Sequence, residues 1–182
     1  MKNRKLIRKQ NYSYNLGGSY FITICIKDRK HYFGEIVNNK MKLSDIGKIA
    51  FDVWNDIPNH NENIELIEFV VMPNHVHGLI FMDYKNDDDI DAIEGEGDRR
   101  PLRNKYPSNY KYDRINEKIP KIIRSYKSTV IRIINQKFPN SRFKWQRSYY
   151  DQIIKNEQHF YNVQNYINNN PINWVHDELN MQ

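Results

Sequence analysis

Residues 65–82 read ELIEFVVMPNHVHGLIFM, and this stretch predicts a hairpin of two apolar strands that turns at Pro73-Asn74. Proline lacks the N–H that a strand ladder needs, and asparagine tolerates turn geometry. The second strand opens with His75 and His77, which share one face because strand side chains alternate. Two imidazoles placed in this way are within reach of one ion or one phosphate. The alternative is that both are hydrogen-bonded core or edge histidines, the commoner role of an arbitrary His-x-His pair.

The charge of the chain is unevenly distributed. The 182 residues carry a net charge of +6 with a pI near 9.2, yet Lys85 is the one basic residue in the acidic segment 83–98. A basic body suits a nucleic-acid binder, although ordinary proteins also have basic surfaces. The length predicts one domain spanning 1–182, with a basic arm at 1–16 and an exposed loop at 83–118 that is first acidic and then basic.

Cysteine content and hydropathy predict a cytoplasmic protein. Cys25 is the single cysteine, so no internal disulfide forms, and the basic start of the sequence lacks the apolar core of a signal peptide. No apolar run approaches the ~18–20 residues that span a bilayer, so we expect no membrane association.

Hydrophobic periodicity predicts an α+β fold. Apolar, β-branched and aromatic runs predict strands at 19–27, 33–37, 41–43 and 148–154, in addition to the hairpin. Helical spacing predicts helices from the N-cap Ser44 to about Asp56, over 119–136, and from the N-cap Asn156 to Asn170. Pro171 ends the last of these.

The last predicted helix carries a second polar pair. Tyr166 and Asn170 lie one turn apart on the same face, at the edge of the apolar stripe. Taken singly, each has an ordinary explanation: a tyrosine at the edge of the core, and an asparagine that ends a helix before proline.

Together these segments resemble a known family. The sequence PNHVH at 73–77 resembles the His-hydrophobic-His signature of the HUH single-strand nucleases. WQRSYYDQIIKNE at 145–157 and YINNNP at 166–171 resemble the C-terminal half of single-tyrosine transposases, above all the IS200-like family and its REP-associated branch. YFITIC at 20–25 and FGEI at 33–36 fit the same family, so the resemblance spans nearly the whole chain except 83–98.

The resemblance implies a ferredoxin-like antiparallel sheet with packed helices. It also implies that His75, His77 and Asn170 hold a divalent metal, while Tyr166 attacks a DNA phosphate, becomes 5′-phosphotyrosine and releases a 3′-OH. The implied function is a metal-dependent single-strand DNA transposase or nuclease acting at hairpin-bearing DNA. Relatives often carry histidine where this chain has Gln152, so any auxiliary role at that position is in doubt.

The residue chemistry is compatible with these roles. A phenol has a pKa of ~10 and is a poor nucleophile at neutral pH unless a metal withdraws charge from the phosphate. Two imidazoles and one amide oxygen leave positions open for phosphate and water, which suits Mg²⁺ or Mn²⁺. A closed zinc site would need a fourth protein ligand, and Cys25 is not an evident one.

Basic side chains are the candidates for contacts with DNA phosphates. They are Lys2, Arg4, Lys5, Arg8, Arg124, Lys127 and Arg147. The expected partner is single-stranded or hairpin DNA, and both a monomer and a helix-exchanged homodimer stay open because relatives of both kinds resemble this chain.

Other functions and other nucleophiles remain open at this stage. A domesticated relative could bind hairpins on the same fold without catalysis. A metal hydrolase that uses water is less favoured, because the sequence shows no carboxylate base accompanying the His pair. Tyr149, Tyr150 and Tyr161 are the rival nucleophiles to Tyr166.

Overall fold

The computed structural model describes residues 18–82 and 118–180; the predicted arm 1–16 and nearly all of the predicted loop 83–118 lie outside this range. The described chain forms six strands and three α-helices. In chain order these are β1 Gly18–Cys25, β2 Gly34–Val37, β3 Lys40–Leu43, α1 Asp45–Asn55, β4 Ile64–Met72, β5 His75–Met82, α2 Lys118–Lys137, β6 Tyr150–Ile153 and α3 Glu157–Asn169.

Four of the strands form one antiparallel sheet in the order β4-β5-β1-β6, and β2 pairs with β3 in a separate ribbon. Without the ribbon, the chain order is β1-α1-β4-β5-α2-β6, which is the ferredoxin-like arrangement. The predicted fold class is therefore confirmed. The ends of the predicted elements shift by a residue or two, as at 148–154, where the strand is Tyr150–Ile153.

The two faces of the sheet bury two different cores. Helices α1 and α2 pack on one face, where Trp54 is fully buried and Tyr126 donates a hydrogen bond to the Ala50 carbonyl at 3.1 Å. Helix α3 packs on the other face over a smaller apolar cluster. That cluster consists of Phe21, Leu79, Val163 and Ile167. Strand alternation thus sends the side chains of β1 and β5 to two layers, and the second layer contains the His pair.

The tip of the β4–β5 hairpin is tied into the body of the protein. The Pro73 carbonyl accepts a hydrogen bond from the Phe33 amide at 3.0 Å, and the Asn74 carbonyl accepts one from the Ile26 amide at 2.8 Å. Asn74 is fully buried. These bonds fix the turn that immediately precedes His75.

Side-chain caps set the starts of two helices at the predicted residues. Ser44 accepts from the Gly47 amide at 3.0 Å, and Asn156 accepts from the His159 amide at 2.8 Å. Beyond α3, a short 3-10 helix at Trp174–His176 packs against the end of the sheet. Among the described helices, none is long and apolar enough to cross a membrane.

Candidate active site

His75 and His77 lie on the same face of β5, with their ring centroids 4.4 Å apart. In the register with β1, His77 lies opposite Thr23 and His75 lies opposite Cys25. Both rings are almost fully excluded from solvent, at 0% and 2% exposure. Buried polar rings of this kind need polar partners, which identify what each nitrogen can do.

Asn74 fixes the tautomer of His75. The Asn74 Nδ2 donates to the carbonyl oxygens of Arg29 at 3.2 Å and Leu179 at 2.8 Å, so its Oδ1 is the end that lies 2.8 Å from His75 Nδ1. An amide oxygen only accepts, so His75 Nδ1 carries the proton. The lone pair of His75 is therefore on Nε2, which is buried and has no hydrogen-bond partner among the described residues.

His77 is held at both ring nitrogens. Its Nδ1 lies 2.8 Å from Thr23 Oγ1, and its Nε2 lies 3.2 Å from the Tyr166 hydroxyl. Burial lowers the pKa of His77 to about 3. Burial, together with the neighbouring His77 and Arg29, also keeps the pKa of His75 well below its usual range. Both imidazoles are thus neutral at pH 7, which is the form that ligates metals.

Helix α3 brings Tyr166 to this pair. The helix buries Val163 and Ile167 against the sheet, and Tyr166 lies at the edge of that contact with 44% exposure. Its ring meets Phe21 edge-on, with centroids 5.9 Å apart. Burial raises the pKa of the Tyr166 phenol, and the Asp177 carboxylate acts in the same direction, so the free phenol keeps its proton at neutral pH.

Asn170 follows α3 directly and is buried beside the same histidines. Its Nδ2 donates to Asp177 Oδ2 at 3.1 Å, while its Oδ1 is buried and finds no hydrogen-bond partner in residues 18–82 or 118–180. The ligand atoms of His75, His77 and Asp177 all lie within 4.8 Å of one another. The prediction that no carboxylate accompanies the His pair is therefore wrong. No local pattern marks Asp177, because it lies beyond the last predicted helix.

A cleft of about 690 Å³ opens over these groups. Tyr166, His77 and Asp177 line it, as does Arg29, whose Nη1 donates to Cys25 Sγ at 2.7 Å. Among the described residues that line this cleft, Arg29 is the one lysine or arginine. The cleft thus brings the Tyr166 phenol, the neutral His77 imidazole, the Asp177 carboxylate and the Arg29 guanidinium together, and such groups can act jointly on a phosphate ester.

The predicted DNA-contacting residues differ in their surroundings. Arg124 and Arg147 are exposed. Lys127 is only partly exposed, and its Nζ donates to the carbonyl oxygens of Gln146 at 2.7 Å and Arg147 at 3.2 Å. Four further predicted residues lie outside the described part of the chain: Lys2, Arg4, Lys5 and Arg8.

The rival tyrosines are not equivalent. Tyr149 and Tyr150 line the same cleft as Tyr166, whereas Tyr161 lines a separate cleft beside α3 with Phe160. Gln152 lies opposite Phe21 in the β6–β1 ladder and is exposed. The tyrosine hydroxyl that hydrogen-bonds His77 belongs to Tyr166.

Comparison with known proteins points to one family. The family model described as "Transposase IS200 like" matches residues 113–170, which include Tyr166 and Asn170. An uncharacterized protein of Haemophilus influenzae is 35% identical over 178 residues, covering 97% of this chain and 92% of that protein.

A solved structure of a REP-associated tyrosine transposase bound to a REP hairpin aligns with a TM-score of 0.56 and 15% identity. The alignment covers 92% of this chain and 73% of that one, and at this identity it shows a shared fold. The match covers the part of the chain that holds Tyr166 and Asn170, and the shared fold is compatible with it: residues 113–170 of this chain belong to the IS200-like transposase family.

Proposed function

We propose that this protein cleaves and rejoins single-stranded DNA at hairpin-bearing sites, with Tyr166 as the nucleophile and a divalent metal at His75, His77 and Asn170. The observation that supports this function is the 3.2 Å contact between the Tyr166 hydroxyl and His77 Nε2. Strand β5 and helix α3 are far apart in the sequence, and their packing brings the Tyr166 hydroxyl beside two neutral imidazoles.

The residues present fit a divalent metal. His75 Nε2 and Asn170 Oδ1 are both acceptors, both are buried, and neither has a donor in the described part of the chain. A buried acceptor without a partner costs free energy, and a cation would satisfy both atoms. Two imidazole nitrogens and an amide oxygen suit Mg²⁺ or Mn²⁺, and the nitrogens favour Mn²⁺. When bound, such an ion draws charge from the scissile phosphate and orients it.

Tyr166 performs the covalent step. Its phenol oxygen attacks phosphorus and forms the 5′-phosphotyrosine bond, the bond from phosphorus to the 3′ oxygen breaks, and the departing oxygen takes up a proton as a 3′-OH. The phenol proton leaves to the water of the open cleft. The phosphoester energy stays in the new bond, so the 3′-OH of a second strand can reverse the step without ATP.

His77 contacts the proposed nucleophile, Tyr166, and is itself one of the proposed metal ligands. The tautomer that can ligate a metal through Nε2 carries its proton on Nδ1, which then donates to Thr23 Oγ1, and in that tautomer Nε2 accepts from the Tyr166 hydroxyl. The same nitrogen cannot accept that hydrogen bond and ligate a cation at once. When Nε2 serves as a ligand, the phenol oxygen of Tyr166 is therefore free to turn toward the cleft.

Arg29 is the group in the cleft best suited to contact the phosphate directly. Guanidinium groups bind phosphate oxygens through strong charge-assisted hydrogen bonds. Arg29 already faces the cleft, and its backbone is held because its carbonyl accepts from Asn74. Exposed Arg124 and Arg147 are proposed contacts for the flanking strand.

The proposed substrate and acting unit follow from two further observations. The structural neighbour was solved with a REP hairpin, which supports hairpin-bearing DNA as the substrate class here. The His pair, Tyr166 and Asn170 meet within one chain, which supports a monomer as the acting unit.

A labelled single strand that carries a hairpin, incubated with Mn²⁺, tests the function. We expect a protein–DNA adduct that survives denaturation, is absent in EDTA and is lost in Tyr166→Phe. Tyr161→Phe is the matched control, because Tyr161 lies on the same helix outside the cleft, and it should form the adduct normally. Failure of the wild-type protein to form an adduct with any hairpin-bearing strand contradicts the proposal.

The same experiment separates the alternatives. An adduct that persists in Tyr166→Phe and is lost in Tyr149→Phe or Tyr150→Phe reassigns the nucleophile. Asp177 gives the water-dependent hydrolase a possible base, and that function predicts cleavage without an adduct that survives loss of Tyr166. Hairpin binding that is unchanged in EDTA, with no cleavage, indicates a non-catalytic binder.

A further inference from the structure

Asp177 lies beside the proposed metal ligands, although the family resemblance gives it no role there. The ligand atoms of His75, His77 and Asp177 lie within 4.8 Å of one another, although Asp177 comes from the segment beyond α3. We infer that Asp177 is a direct metal ligand, so that the centre has two imidazoles, one amide and one carboxylate. This inference rests on the proposed function, because it concerns the same site.

Within residues 18–82 and 118–180, no cationic side chain forms an ion pair with the Asp177 carboxylate. Its oxygens accept from two neutral donors, Asn170 Nδ2 at 3.1 Å and the Leu179 amide at 2.7 Å. A partly buried carboxylate without a cationic partner is costly, and in this cleft it would also repel a DNA phosphate. A divalent cation held by Asp177 would remove both penalties.

Asp177 also determines which end of the Asn170 amide is available. A carboxylate accepts hydrogen bonds, so the Asn170 NH₂ group must be the end that faces it. The Asn170 Oδ1 is thereby left as the free acceptor. Asp177 thus acts on the site in two ways, as a charged ligand and as the group that orients a neutral one.

Calorimetric titration of the DNA-free protein with Mn²⁺ tests the ligand role. Asp177→Asn removes the charge, and Glu178→Gln is the matched control because Glu178 is the neighbouring acid, is exposed and lines the same cleft. We expect Asp177→Asn to weaken Mn²⁺ binding by about 10–100-fold, a loss typical of disrupted metal sites. Glu178→Gln should stay close to wild type. Equal affinity of the Asp177→Asn and wild-type proteins overturns the inference.

A double-variant cycle separates a ligand from a purely positioning residue. If Asp177 acted only through Asn170, Asp177→Asn would weaken Mn²⁺ binding no further in an Asn170→Ala background. We expect a further loss in that background, and its absence overturns the ligand role. Failure of the wild-type protein to bind Mn²⁺ contradicts the proposed function instead, so the two failures are distinguishable.

A second variant keeps the test valid should Asp177→Asn not fold. In a Cys25→Ser background, Asp177→Cys places a thiolate at the proposed ligand position, and soft metals prefer thiolates. We expect Cd²⁺ to produce a thiolate-to-metal ultraviolet absorption band in this protein but not in the matched Glu178→Cys protein. Absence of the band from Asp177→Cys, at Cd²⁺ concentrations that stabilise the protein against heat, overturns the inference.

Discussion

Substitutions of Asn74 test how the site is assembled, because the two ends of its amide make different hydrogen bonds. The Asn74 Oδ1 faces His75, while Nδ2 ties the carbonyls of Arg29 and Leu179 together. Asn74→Ala removes all three hydrogen bonds. At about 0.5–1.5 kcal/mol each, we expect about 2–4 kcal/mol of lost stability. For a chain of this size that corresponds to a fall in Tm of roughly 5–15 °C.

The two ends of the amide are separated by Asn74→Asp. A carboxylate still accepts from His75 Nδ1–H, so the lone pair stays on Nε2, but it cannot donate to the Arg29 and Leu179 carbonyls. We therefore expect Asn74→Ala to weaken Mn²⁺ binding by about 10–100-fold, whereas Asn74→Asp loses stability but retains metal affinity.

Calorimetry with Mn²⁺ and thermal unfolding in EDTA measure the two effects independently. Asn61→Ala is the control, because Asn61 Nδ2 donates to the Ile57 carbonyl at 2.8 Å in a turn that does not line the active-site cleft. That variant should lose about 1 kcal/mol of stability and no metal affinity. The tautomer reasoning fails if Asn74→Asp loses as much Mn²⁺ affinity as Asn74→Ala while both remain folded.

Three further predictions follow from the same structure. Burial lowers the pKa of His77 to about 3. In EDTA, the unfolded chain therefore binds a proton at this histidine below pH ~6.5, whereas the folded chain does not. The free energy of unfolding should fall by about 1.4 kcal/mol for each pH unit of acidification because of this group. Urea unfolding at pH 5 and pH 7 should show a smaller pH effect in His77→Gln than in the wild-type protein, and an equal pH effect in the two proteins contradicts this prediction. Arg29→Gln should slow adduct formation by about 10–100-fold and leave the Mn²⁺ affinity unchanged, and Arg29→Lys should recover part of the rate. An unchanged rate in Arg29→Gln would show that Arg29 does not bind the phosphate. A Cβ at Gly78 would lie 2.0 Å from Trp54 Cζ2, so Gly78→Ala should cost about 3 kcal/mol in urea unfolding, and less once Trp54→Phe makes room.

The fold could be predicted because its signals are local. The caps at Ser44 and Asn156 start the helices where expected, and alternation places His75 and His77 on one face. Periodicity does not predict which strands and helices contact one another in the folded protein. The Tyr166 hydroxyl reaches His77 across 89 positions of sequence, and only the family resemblance suggested that the two would converge.

For three residues, the surroundings in the structure differ from those that the sequence predicts, and in each case long-range packing is the cause. Asparagine is a residue type that is typical of turns, but the turn at Asn74 packs against the segments of Arg29 and Leu179, and this contact buries the Asn74 amide. Asp177 follows the last predicted helix, and only the folding back of that segment brings it to the histidines. Helical periodicity predicts that Lys127 lies on the outer face of its helix, but the Lys127 amine donates a hydrogen bond to the backbone carbonyl of Gln146.

The link between Asn74 and the Leu179 carbonyl spans 105 positions of the chain. The strand that carries the histidines is synthesised long before the segment that carries Leu179 and Asp177. A nascent polypeptide therefore displays its imidazoles without the acidic and amide oxygens that complete their surroundings. Translation order thus delays the complete site until Asp177 and Leu179 have been synthesised, and a product that ends before Tyr166 would carry the histidines without the tyrosine or Asn170.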